Sequence, residues 1–148
     1  MQLRPYMDIA LDEARAAAGR GEVPVGAVAV RGREVIARDG NRTRERRDAS
    51  AHAEMLVLRA AARALGAERL GDVDLYVTLE PCAMCAGAIS AFRIRRLYYG
   101  AADPKSGGVA TGARVFSHPQ CHHRPEVYDG VGATEAEALL RDFFASKR

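Results

Sequence analysis

The stretch "LYVTLEPCAMCAG", residues 75–87, closes an apolar run with a proline and then sets Cys82 and Cys85 three positions apart. Residues 74–78 predict a strand. "PCAMCAGAISAF" predicts a helix begun by Pro81, whose missing N–H is no loss in a first helical turn. Upstream, apolar residues at Met7, Ala10, Leu11, Ala14 and Ala17 recur at helical spacing until Gly19 and Gly21 supply a stop. "VPVGAVAVRGREVIARDG" gives two β-rich runs around "RGRE", a hairpin whose first strand, residues 25–30, carries too little polarity to face solvent and is expected at the centre of a sheet. "SAHAEMLVLRAAARALGA" is helical, with Ser50 as its expected N-cap and Gly66 near its end.

Downstream, a strand is expected at residues 96–99. Residues 101–118 are rich in glycine and small side chains and predict a long functional loop with one short helix. "EVYDGV" predicts a short strand. A final helix follows, in which Thr134 to Glu137, "TEAE", form a capping-box pattern. Strands alternating with helices imply an α/β fold, helices covering both faces of one sheet, with a site where loops and helix starts meet at one sheet edge.

The 148 residues suit one domain spanning 1–148, and 48% hydrophobic with 28% charged residues is ordinary for a soluble globular chain. The N-terminal segment mixes acidic residues into its apolar periodicity, unlike a secretory signal, and no apolar run reaches membrane-spanning length, so a cytoplasmic address is expected. In that reducing compartment, an odd count of three cysteines reads as metal ligands or a redox pair rather than as a staple. A net charge of +3 permits a polyanionic partner without demanding one. Its arginines gather in "NRTRERRD" (Arg42, Arg44, Arg46, Arg47) and "FRIRRLYY" (Arg93, Arg95, Arg96), either of which also reads as a solvated surface.

"AHAE" places His52 and Glu54 at one helix start, and "PCAMC" places Cys82 and Cys85 at another. Thiols in a first helical turn face free backbone N–H groups and the positive end of the dipole, which favour thiolates. Two thiolates and one imidazole are three ligands for zinc and leave a fourth tetrahedral position for water. The metal lowers the pKa of such a water and yields a nucleophile for an electron-poor carbon. Glu54 could serve as base and then acid, carrying the proton to a departing amine. On a regular helix it would project roughly 200° away from His52, so His52 must lean over the first turn for both to act. Other readings stay open. CxxC alone also fits a redox pair, although that leaves H-A-E unexplained. A structural zinc site could recruit His118 or the His122–His123 pair, at a spacing longer than compact fingers use.

The ordered set H-A-E then P-C-x-x-C is a signature of zinc deaminases, and the chain resembles the cytidine deaminase-like superfamily. Within it the chain is similar to bacterial tRNA-specific adenosine deaminases of the TadA type, through "EVPVGAV" (22–28), "NR" (41–42), "AHAE" (51–54), "LYVTLEPCAMCAGA" (75–88), "YYGAADPKSG" (98–107), "HP" (118–119), "HR" (123–124) and "LLRDFF" (139–144). The resemblance implies a three-layer α/β/α fold around a mixed five-stranded sheet and a homodimer. It also implies one Zn²⁺ per subunit on His52, Cys82 and Cys85, with Glu54 as proton shuttle. The implied reaction is hydrolysis of adenosine to inosine at the wobble position of a tRNA anticodon stem-loop. By the same likeness Asn41 contacts the flipped base, and backbone at Ala53 and at Glu80 to Pro81 lines the pocket. Asp103, Lys105 and the last helix, with Arg141, Phe143 and Phe144, would meet RNA, although two aromatics on a terminal helix also read as core. The chain departs from the family in its short tail "FFASKR", in "VATGARVF" (109–116), and in His122 where asparagine is frequent. Competing readings are a deaminase of free guanine, cytosine or nucleosides, and a non-catalytic zinc-stabilised RNA-binding module.

Overall fold

The computed structural model describes residues 3–147. In chain order the elements are α1 (Arg4–Gly19), β1 (Gly26–Arg31), β2 (Glu34–Gly40), α2 (Ala53–Leu65), β3 (Val73–Leu79), α3 (Ala83–Ala91), β4 (Arg96–Ala101), β5 (Glu126–Tyr128) and α4 (Ala133–Ala145), with a 3-10 turn at Val115–Ser117 in the long loop. The strands form one sheet in the order β2-β1-β3-β4-β5. β1 runs antiparallel to both β2 and β3, whereas β3–β4 and β4–β5 are parallel, so the sheet is mixed. β1 is interior as its apolar character requires, but β3 takes the central position. The continuous burial of both strands follows from helices covering both faces rather than from place in the order.

Alternation along the strands divides the core. Leu75 and Val77 of β3 face α2 and α3, together with Val57, Leu58, Ile89 and Leu97. Tyr76 of β3 faces the opposite layer, where Met7 and Leu11 of α1 and Ala136 of α4 meet Val28, Val30 and Tyr98. Each fully buried large aliphatic side chain contributes about 1.5–3 kcal/mol. In the second layer the register aligns Tyr76, Tyr98 and Tyr128, whose rings stack with centroids 4.5 and 5.1 Å apart.

α1 crosses this sheet closely because its inward face is mostly alanine. A Cβ on Gly26 would collide with the Ala10 carbonyl and lie 2.5 Å from Ala14 N, and one on Gly40 would lie 2.6 Å from the Glu13 carbonyl. Three local expectations are altered. Ser50 does not cap α2: its N–H and hydroxyl both bond Asp48 Oδ1, and His52 occupies the N-cap. Pro81 precedes α3, whose N-cap is Cys82. α4 starts on Gly132 in the left-handed region (φ 73°), which carries Thr134 past the cap and leaves its capping box unused.

Gly26→Ala should therefore lower unfolding free energy by about 3 kcal/mol in urea titrations, since backbone atoms of α1 must retreat. Gly19→Ala, where an added Cβ meets nothing, should be neutral or stabilise by about 0.5–1 kcal/mol.

Candidate active site

The starts of α2 and α3 meet beside the C-terminal end of β3. His52 keeps an extended backbone (φ −73°, ψ 150°), and so does Cys82 (φ −71°, ψ 174°), while Cys85 is buried in the first turn of α3. His52 Nδ1 lies 3.7 Å from Cys82 Sγ and 3.6 Å from Cys85 Sγ. The extended N-cap also removes the angular difficulty expected for Glu54, because His52 is not part of the helical spiral. Glu54 is buried in α2, and its carboxyl interacts with the Cys85 thiol.

The three donor atoms fit a metal. A tetrahedral ion with ordinary zinc bond lengths would set its sulfur–nitrogen edges at about 3.5 Å, close to the separations observed. Among the described residues, the group of mutually close donors consists of His52, Cys82 and Cys85. His118 Nε2 is instead engaged with the Ala113 carbonyl at 2.7 Å, and His123 Nε2 with the Ile94 carbonyl at 2.7 Å, so neither histidine completes a closed cage.

The electrostatics point the same way. Hydrogen bonds from Cys85 and then His52 bring the Cys82 thiol down to about 4, whereas the Cys82 sulfur and burial push Cys85 up. The second thiol thus resists ionising beside the first, an opposition that a divalent cation between them removes. His52 is raised, chiefly by its bond to Cys82, and a backbone hydrogen bond to Ala49 acts on the same ring. Burial pushes Glu54 up to about 7.

A cavity of about 250 Å³ opens on His52, Glu54 and Cys82. Val23, Val25 and Leu79 give it apolar walls, and Asn41, Thr43, Asp103 and Ser106 add polar ones. The size suits a planar heterocycle with its edge read by a few polar groups. Asn41 Oδ1 accepts the Ala53 N–H at 2.8 Å, which fixes the amide orientation and leaves the Nδ2 donors for a ligand. Pro81 holds the neighbouring loop through its carbonyl, which accepts the Gly108 N–H at 2.8 Å. A larger cavity, about 560 Å³, lies between Tyr6, Arg33, Asp74 and Arg95 and includes none of His52, Cys82 and Cys85.

The other expected contacts are dispersed. Lys105 is exposed on the loop after β4, and its N–H donates to Asp103 Oδ1. Phe144 is exposed on α4, outside the cavity lining, with Phe143 packed against it edge-on. Arg42 is occupied by Asp39 and Glu45, Arg95 by Asp74 and Arg96 by Glu126, whereas Arg46 and Arg47 are exposed. Cys121 packs against the core, its Sγ 3.1 Å from the His123 carbonyl. Sequence reasoning missed Thr43 and Ser106, together with the side-chain roles of Glu22 and Glu80. Glu22 and Glu80 carry the one available signal: a carboxylate adjoining an apolar strand run.

Replacing a donor should abolish metal retention. Cys82→Ser should leave less than about one-tenth of the wild-type divalent metal per chain after dialysis, measured by elemental analysis. His118→Ala should retain the full amount.

A family model described as MafB19-like deaminase matches residues 1–148. The chain is 61% identical to a tRNA-specific adenosine deaminase of Agrobacterium fabrum, over 97% of this chain and 94% of that one. It is 44% identical to a tRNA-specific adenosine deaminase of Rickettsia bellii, over 94% of this chain and 97% of the other. A solved structure from a study of A-to-I editing by tRNA deaminases at the wobble position of transfer RNA superposes with a TM-score of 0.91 at 60% identity, covering 92% of this chain and 99% of its own. With three mutually close donors in His52, Cys82 and Cys85 and a buried glutamate beside them, the chain belongs to the MafB19-like deaminases and, among them, to the tRNA-specific adenosine deaminases.

Proposed function

We propose that this chain is a zinc-dependent hydrolase, a single deaminase domain over residues 1–148, that converts adenosine to inosine at the wobble position of a tRNA anticodon. The carrying observation is the open three-donor group with a buried carboxylate against it, in a chain 61% identical to a tRNA-specific adenosine deaminase. His52, Cys82 and Cys85 would hold one Zn²⁺ per subunit. Zinc held there would lower the pKa of a bound water and so supply a nucleophile near neutral pH.

The protein's own groups then set geometry and proton traffic. Val23, Val25 and Leu79 exclude solvent from the base, and the Asn41 amide donates to it. A carboxyl held near 7 exchanges protons readily at neutral pH. Glu54 takes one proton from the attacking water and passes it to a ring nitrogen as the oxygen bonds to the amine-bearing carbon; it then takes the second proton from that oxygen and gives it to the amine, which leaves as ammonia as the C–N bond breaks and the carbonyl forms. Backbone at Ala53, Glu80 and Pro81 supports the pocket wall, and Asp103, Lys105 and Phe144 extend contact to the flanking RNA. Phosphates beside the splayed nucleotide meet the exposed Arg46 and Arg47.

A homodimer in the cytoplasm completes this reading. Residues Ala83, Met84, Gly87, Ala88 and Ala91 of α3 form an apolar, outward strip with Met84 41% exposed, next to the Cys82 end that reaches the site. A second copy packed on that strip would bury it and bring its own loops towards the substrate groove.

Glu54→Ala should retain wild-type metal content while turnover falls by at least about 10³-fold. Wild-type enzyme should release ammonia and form inosine from an anticodon stem-loop with A at the wobble position, and leave free adenine, guanine and cytidine unchanged. Reaction of free bases alone would contradict the tRNA assignment. Sedimentation equilibrium should return twice the 16.0 kDa chain mass, and Met84→Glu should shift it towards the single-chain value.

A further inference from the structure

Two buried carboxylates beside the cavity take no part in the proton chemistry. Glu80, 2% exposed at the end of β3, accepts the Asp103 N–H on Oε1 at 3.0 Å. Its Oε2 collects the N–H groups of Val109, Ala110 and Thr111 at 3.1, 2.9 and 3.1 Å, and the Thr111 hydroxyl at 3.1 Å. Glu22, 1% exposed just before β1, accepts the Arg44 N–H at 3.1 Å, the Glu45 N–H at 2.9 Å and the Thr43 hydroxyl at 3.4 Å. Among the described residues neither makes an ion pair within 4.0 Å. Each anion is therefore satisfied mainly by the backbone of one loop. Both loops reach the cavity: Thr43 lines it from one, Asp103 and Ser106 from the other.

The long loop is shaped to fit its anion. A Cβ on Gly107 would lie 2.5 Å from the Glu80 carboxylate, and one on Gly108 would lie 2.5 Å from Ala83 N, so two glycines permit the approach. Residues 105–108 bond Asp103 and the Pro81 carbonyl, but the amides of Asp103, Val109, Ala110 and Thr111 are all drawn to Glu80, so without the anion both ends of the loop would lose their fixed points. A buried carboxylate is stable only with its donors gathered, so anion and loop order each other.

We propose that Glu80 and Glu22 are positioning residues, each carboxylate clasping one rim loop so that the mouth is preset for the RNA strand on either side of the splayed nucleotide. The proposal rests on the tRNA reading for its ligand, but the clasps have a readout of their own. In Glu80→Gln the amide oxygen can serve residues 109–111 only if the NH₂ faces the Asp103 N–H, donor against donor. That end of the loop is then released. Glu22→Gln repeats the conflict at residues 43–45.

Hydrogen exchange, metal analysis and steady-state kinetics on the stem-loop test both variants in the zinc-loaded protein. Glu80→Gln should lose at least about tenfold protection within residues 103–111, and Glu22→Gln within residues 43–45, each leaving the other loop and the metal content intact. KM for the stem-loop should rise about tenfold with kcat within about threefold of wild type. Unchanged protection in the cognate loop overturns the clasp. Unchanged KM with a fallen kcat overturns its role in binding. If Glu80→Gln does not fold, Thr111→Val should show the same pattern at about twofold to threefold in KM, and no change there overturns the proposal. A wild-type protein inactive on the stem-loop would refute the tRNA reading, whereas protection lost only in the cognate loop would still uphold the clasp.

Discussion

One imidazole and two thiols, carried on segments 30 and 33 residues apart, must meet where two helices begin, with the imidazole nitrogen within 4 Å of each sulfur. Much of the architecture serves that meeting. The parallel pairing of β3 with β4 makes α3 a crossover helix, which starts at the C-terminal end of β3 and delivers Cys82 and Cys85 there. The antiparallel hairpin of β1 and β2 ends beside the same sheet edge and sends residues 41–52 across it into α2. His52 and Cys82 are both N-caps with extended backbones, so each side chain leaves its helix axis and turns towards the other. An ordinary Ser or Asp cap would satisfy its own helix. Here the caps have been given to chemistry, and neither makes a side-chain capping bond.

Burial does different work on each group around that point. It raises Glu54 to about 7, where a carboxyl can both accept and give a proton. For Glu80, burial opposes the charge, yet the N–H donors of Asp103, Val109, Thr111 and Ala110 outweigh it and hold the carboxyl below the usual range. Glu80 has the donors that Glu54 lacks. Two glutamates near one cavity are thereby separated into a carboxyl that titrates near neutral pH and a fixed anion.

The chemistry was more legible in the sequence than the scaffold that aims it. His52, Glu54, Cys82 and Cys85 stand in short, ordered patterns, and their residue types restrict what they can do together. The strand and helix order followed from apolar periodicity, and the placing of Asn41 from resemblance. Pairing order was less accessible: β1 and β3 are equally apolar, and nothing local says which is central. Local caps misled wherever a tertiary demand won. Asp48 captured Ser50, His52 took the N-cap of α2, and Gly132 at positive φ set the start of α4. The carboxylates of Glu22 and Glu80 were hidden for another reason, since their donors lie 21 to 31 residues away along the chain.

X-ray absorption at the zinc edge of the loaded protein addresses the open three-donor site most directly. It should return two sulfur neighbours at about 2.3 Å, with one imidazole nitrogen and one exchangeable oxygen at about 2.0–2.1 Å. A first shell filled by four protein donors, or one lacking the sulfur pair, would contradict it.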